Sequence, residues 1–87
     1  MASYKVTLKK SVEKDLRRID RVQVPKIVSA IQALSENPFP ANSRKLVGST
    51  KTYRVRLGDY RVLYIVDEAV REIEVQAVRH RKDAYRG

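Results

Sequence analysis

The chain has no cysteine and no tryptophan, one histidine, three glycines and three prolines among its 87 residues. Without cysteine there is no disulfide framework, no thiolate metal site and no thiol nucleophile. One histidine cannot build the multi-histidine site of a catalytic metal. No apolar run approaches the roughly 20 residues of a membrane-spanning helix. The start, Met1-Ala2-Ser3-Tyr4-Lys5, lacks a signal-peptide apolar region. The expectation is a soluble cytoplasmic protein, with no cofactor, no metal and no membrane partner. A chain this short buries only roughly 60–65% of its unfolded surface, which argues against a deep enclosed active site.

What it has in excess is positive charge. Nineteen lysines and arginines stand against ten acidic residues, for a net charge of +9. Such a balance points to a polyanion or an acidic protein as partner. The hydrophobic fraction of 43% suffices for a packed core, so this is not a basic disordered tail. There are no repeats and no linker, and residues 1–87 are expected to form one domain.

Residues 3–8 alternate Tyr4, Val6 and Leu8 against Lys5 and Thr7, the period of a half-buried strand. Ser11 is placed to cap a first helix over residues 12–19, with Val12, Leu16 and Ile19 on one face. Asp20 and Gln23 have capping-box spacing, and Val24, Ile27, Val28, Ile31 and Leu34 form the stripe of a second helix. Asn37-Pro38 ends it. The polar stretch from Phe39 to Thr50 reads as a loop. Three strands follow: one through Tyr53, Val55 and Leu57, one from Tyr60 to Val66, and one from Arg71 to Val78, with a short helical turn expected in the charged tail. The fold class is α+β, in the order β-α-α-β-β-β: an antiparallel sheet, which the first strand must join, with a helix pair on one face.

Gly58-Asp59 as a two-residue turn fixes the first hairpin. Leu57 then opposes Tyr60, Arg56 opposes Arg61, Val55 opposes Val62 and Arg54 opposes Leu63. Tyr53, Val55, Leu57, Tyr60, Val62 and Tyr64 share the core face, and Arg54, Arg56 and Arg61 share the other. If residues 67–70 form the next turn, Tyr64 opposes Ile73, Val62 opposes Val75, Tyr60 opposes Ala77, Arg61 meets Gln76 and Leu63 meets Glu74. Arg56 and Arg61 are then directly opposed like charges, an arrangement that destabilises a sheet unless acids such as Glu74 or a bound anion neutralise it. Two readings of this face stand side by side. One is a solvated sheet face. The other is a phosphate-binding face, since guanidinium forks match phosphate oxygens. His80 is either a surface residue or the one group that titrates near neutrality beside the arginines. Tyr85 either stacks on a base or folds back on the core.

The order of elements, the segment Lys45-Leu46-Val47-Gly48, the run from Tyr53 to Tyr64 and the ending from Val78 to Arg86 together resemble the RelE branch of the RelE/ParE toxin superfamily, over nearly the whole chain. The resemblance implies a microbial-RNase-like fold and a toxin of a type II toxin–antitoxin pair. It implies a metal-independent endoribonuclease that enters the 70S ribosome and cuts A-site mRNA by attack of the ribose 2′-OH, inhibiting translation. The partners it implies are the ribosome, its mRNA and a cognate antitoxin. By the same resemblance Arg61 and Arg81 stabilise the reacting phosphate, Tyr85 orients the scissile nucleotide, and Arg54 and Arg56 stand where other members carry lysines. Arginine stays protonated, so these two supply charge and not base catalysis; His80, Tyr85 or a ribosomal group is left as the base. Lys45, Lys51 and Lys82 complete the candidate RNA-binding set. The alternative is a ParE-like inhibitor of DNA gyrase with no nuclease chemistry.

Overall fold

The computed structural model describes residues 3–81. A four-residue strand, β1 (Lys5–Leu8), runs into a first helix, α1 (Lys10–Arg17), and a short turn leads to α2 (Val24–Ala33). Four strands follow: β2 (Ser43–Lys45), β3 (Thr52–Leu57), β4 (Tyr60–Asp67) and β5 (Glu72–His80). They form one five-stranded sheet in the order β1-β5-β4-β3-β2, antiparallel except that β1 runs parallel to β5. The α+β reading holds, with one strand more than the sequence pattern announced.

Both helices start differently from expectation. The Ser11 cap does not form. The Lys9 amide donates to the Val75 carbonyl at 3.0 Å, and the Val12 amide to the Lys9 carbonyl at 2.9 Å, so the β1 ladder passes directly into α1 at Lys10. Asp20 makes no capping box with Gln23. Its Oδ1 accepts the Val22 amide at 3.2 Å and its carbonyl accepts the Gln23 amide at 2.8 Å, closing a separate turn before α2. Pro25 sits in the first turn of α2, where its missing N–H costs nothing.

The helices cover one face of the sheet. Val12 from α1, Ile19 just after it, and Ile27, Ile31 and Leu34 from α2 and its end pack on Val55, Val62, Tyr64, Val66, Ile73, Val75 and Val78. Leu8 lies outside this core, 45% exposed at the end of its strand. Tyr64 is fully buried, and its hydroxyl donates to the Pro38 carbonyl at 2.8 Å, tying the chain after α2 to the central strand. Burial pushes the Tyr64 phenol above its ordinary range; a bond with the Ser43 hydroxyl opposes the shift and the neighbouring Tyr53 adds to it.

The β3–β4 hairpin has the expected register throughout. Gly58 has φ +61° and Asp59 is not among the positive-φ residues, the pattern of a type II′ turn. The β4–β5 hairpin departs from expectation. Its turn begins one residue later, because the Asp67 carboxylate accepts the Ala69 and Val70 amides and Arg71 takes a left-handed conformation at φ +57°. Tyr64 therefore opposes Val75, and Val66 opposes Ile73. A β-bulge then leaves Gln76 without a partner on β4, and beyond it Leu63 opposes Ala77, Val62 opposes Val78, Arg61 opposes Arg79 and Tyr60 opposes His80.

The supposed loop from Phe39 to Thr50 contains β2. Asn42 and Arg56 clamp its start, with Asn42 Nδ2 donating to the Arg56 carbonyl at 2.6 Å and the Arg56 amide to the Asn42 carbonyl at 3.3 Å. β2 is an edge strand of three polar residues, too short for an alternation to develop.

Candidate nucleic-acid interface

The bulge decides what faces the arginines. Arg61 lies between Arg56 on β3 and Arg79 on β5, each directly opposite it. Strands are about 4.8 Å apart, so the three side chains leave the sheet within about 10 Å of one another. Glu74 is paired with Ile65, four residues along β4 from Arg61, about 13 Å away. The pairing of Arg61 with Gln76 and of Leu63 with Glu74 is thus replaced by an arginine row without an acid in it. Two residues along, Arg44 on β2 opposes Arg54 on β3, in a second row on the same face. The face is divided by charge: Arg44, Arg54, Arg56, Arg61 and Arg79 at one end, Asp67, Glu72 and Glu74 at the other.

A carboxylate from α1 sets the geometry of the basic end. β1 pairs with β5 only as far as Val75, leaving the outer edge of the last residues of β5 open. Asp15, almost fully buried, fills that place. Its Oδ2 accepts the Val78 amide at 3.0 Å and its Oδ1 accepts Arg79 Nη1 at 2.9 Å. At the other side of the strand end the Arg81 amide donates to the Asp59 carbonyl at 2.6 Å, and its guanidinium lies 3.9 Å from the Asp59 carboxylate. The tip of the β3–β4 hairpin therefore holds Arg81 at the end of the arginine row.

The other expected residues distribute unevenly. Arg54, half-buried, and Arg56, exposed, share the face of Arg61 as expected. His80 does not: the bulge turns it to the helix side, where its ring meets Tyr60 edge-on at 5.1 Å between centroids. Lys45 also lies off the row, its Nζ 5.8 Å above the Tyr53 ring. Lys51 is at the acidic end and pairs with Asp67 at 3.6 Å. Tyr85 and Lys82 lie outside the described residues. Arg44, Arg79 and Asp15 were not among the expected residues. The adjacent apolar residues Ala77 and Val78 interrupt the period-two alternation, which is the sequence signature of the bulge that places Arg79. Among the described residues, no three of histidine, aspartate and glutamate gather as a cation site.

Two helices packed on a five-stranded mixed sheet are the architecture of the RelE structures. The RelE–RelB complex of Pyrococcus horikoshii superposes with a TM-score of 0.81 at 30% identity, over 91% of this chain and 96% of that one. The intact Escherichia coli RelBE complex shares the fold with a TM-score of 0.73 at 23% identity, over 87% and 94%. In sequence, RelE1 of Methanocaldococcus jannaschii is 34% identical over 86 residues, covering 95% of this chain and 96% of its own. The model of the ParE toxin of type II toxin–antitoxin systems matches residues 6–85. The chain belongs to the RelE/ParE family of type II toxin–antitoxin toxins.

Proposed function

We propose that this toxin is a ribosome-dependent mRNA endonuclease acting in the cytoplasm. The observation that carries the reading is the row Arg56–Arg61–Arg79, continued by Arg81, on a rigid sheet face: its cross-strand neighbours are arginines, and Asp15 and Asp59 hold its Arg79 and Arg81 ends. In the proposed reaction the ribose 2′-oxygen attacks the adjacent phosphorus. The O2′–P bond forms as the P–O5′ bond breaks, giving a 2′,3′-cyclic phosphate and a free 5′-OH. The 2′-OH proton passes to a base, and the leaving 5′ oxygen takes up a proton. Arg61 supplies charge to the phosphoryl oxygens, and Arg81 to the leaving side. Arg54 and Arg56 hold the flanking backbone. The base is Tyr85 or a ribosomal group, since the His80 ring is turned toward Tyr60. The open face suits this division of labour, with the ribosome forming the other wall and orienting the mRNA.

The proposed protein partner is an antitoxin whose acidic or amphipathic segment covers the arginine face. Family members of this fold are known in RelE–RelB complexes. A second reading, inhibition of DNA gyrase without nuclease chemistry, is favoured by the match to the ParE model.

The deciding experiment adds purified toxin to a stalled ribosome programmed with a defined mRNA, with naked mRNA alongside, and maps the RNA ends. A single cut in the A-site codon ending in a cyclic phosphate, seen only with ribosomes, is expected. No cut in either lane, together with loss of supercoiling activity in a gyrase assay, would overturn the reading in favour of the second.

A further inference from the structure

The ring pair of Tyr60 and His80 lies off the arginine row and lines two open depressions. The first, of about 260 Å³, lies beside the end of β5, where β1 has stopped pairing. Ile19 and Val78, both buried, give it an apolar side. Arg18, at the end of α1, and Arg79, on β5, bring positive charge to it. Among the described residues that line it, Asp15 is the one acid, and its two oxygens are taken by the Val78 amide and by Arg79. Arg18 is exposed and, among the described residues, is in no ion pair. The second depression, of about 330 Å³, has two carboxylates, Asp20 and Asp59, and no lysine or arginine among its described lining residues. A strand with a phosphate on every nucleotide is therefore drawn to the Arg79 side of the rings and repelled from the other.

From this we infer a nucleobase subsite: the first depression takes one unpaired base of a single-stranded RNA whose phosphates lie on the arginine row. The inference rests on the reading of the sheet face as an RNA surface. Arg79 belongs to both places, opposing Arg61 in the row and lining the depression. A strand that crosses the sheet from β3 over β4 to β5 therefore meets the depression at its next step. The size fits a single flat ring system, since pockets for drug-sized ligands run to roughly 300–1,000 Å³. The lining fits it in kind. Tyr60 and His80 offer rings for stacking, Ile19 and Val78 offer apolar contact, and the Arg18 guanidinium can stack on a base or fork onto its acceptor edge. A bare phosphate gains nothing from the rings and the apolar side, and an apolar side chain gains nothing from Arg18.

The test measures binding, and so does not depend on cleavage. Two short fluorescein-labelled strands of equal length are titrated against the full chain over a range of salt: a single-stranded RNA, and an abasic counterpart that keeps every ribose and phosphate. The variants are Arg18→Ala, His80→Ala and Arg17→Ala. Arg18→Ala should weaken binding of the RNA roughly tenfold, the scale of one stacked base, and leave binding of the abasic strand nearly unchanged, because the coupling is between Arg18 and a base. His80→Ala should show the same difference between strands; if that variant fails to fold, the exposed Arg18 decides alone. Arg17→Ala, one residue away and outside the depression, should act equally on both strands. An equal loss on both strands for Arg18→Ala, with a salt slope reduced by about 0.7, would make Arg18 a phosphate contact and overturn the inference. A parent chain that binds the two strands equally would also overturn it, while leaving the phosphate reading of the face intact. If Arg18 discriminates between the strands but the parent cuts no A-site codon, the nuclease reading fails and the subsite stands.

Discussion

Asp15 of α1 holds Val78 of β5 through a 3.0 Å bond to its backbone amide, at the point where β1 no longer pairs with that edge. A single carboxylate thus takes the place of a strand. It secures the segment that carries Arg79 and leads to Arg81, and its second oxygen takes the Arg79 guanidinium.

Replacing Asp15 by alanine should therefore destabilise the fold. It leaves a buried amide without its acceptor, at a cost of about 1–3 kcal/mol. For a chain of this size that lowers the melting temperature by about 4–8 °C per kcal/mol. Thermal unfolding followed by circular dichroism reads the effect, and a melting temperature equal to that of the parent contradicts the role given to Asp15. Asp15→Asn keeps one acceptor oxygen and should fall between the two.

Deleting Gln76 should leave the register intact. Without it Val75 and Ala77 become successive residues opposite Tyr64 and Leu63, so Ala77, Val78, Arg79 and His80 keep their partners and their faces in a regular ladder. We expect this variant to unfold cooperatively. One alanine inserted after Val78 would instead turn Arg79 to the helix side and away from Arg61, and should unfold at a lower temperature than the deletion; equal melting temperatures for the two variants would contradict the register assigned to β5.

Arg61→Ala should lower A-site cleavage about 10²- to 10³-fold, the usual effect of removing a preorganised charge from a developing anion. Single-turnover cleavage on programmed ribosomes measures it. Glu74→Gln, at the acidic end of the same face, should leave the rate unchanged; an equal loss in both would mean that the face acts through its overall charge.

The Tyr64 phenol offers a pH test. Burial raises its pKa above the ordinary value of 10.0, so the folded state holds this proton more tightly than the unfolded chain. The resulting stability is fully present below pH 10 and is lost as pH rises through the folded value. Denaturant midpoints measured on the alkaline side should fall for the parent and fall less steeply for Tyr64→Phe. Below pH 10 that variant should be weaker by about 0.5–1.5 kcal/mol, for want of the bond to Pro38.

How much of this was legible in the sequence depended on whether a local device set the geometry. Gly58-Asp59 fixed the β3–β4 register, and with it the common face of Arg54, Arg56 and Arg61. The next hairpin was decided by an Asx-type bond at Asp67, a left-handed Arg71 and a bulge at Gln76. None of these follows from alternation alone, so the partner of Arg61 was read as Gln76 instead of Arg79. β2 was invisible because backbone bonds to its neighbour, and not its own side chains, make it a strand. Asp15 stands outside the apolar stripe of Val12, Leu16 and Ile19, so the helical pattern gives no sign of it; its burial comes from the short β1, which leaves the edge of β5 for it to fill.

The parallel pairing of β1 with β5 has a consequence for synthesis. The chain's first strand waits for its last, and β5 is the link between β1 and the rest of the sheet. Arg79 and Arg81 are therefore the closing pieces of the basic face: a chain synthesised only as far as β4 has neither a partner for β1 nor a complete arginine row.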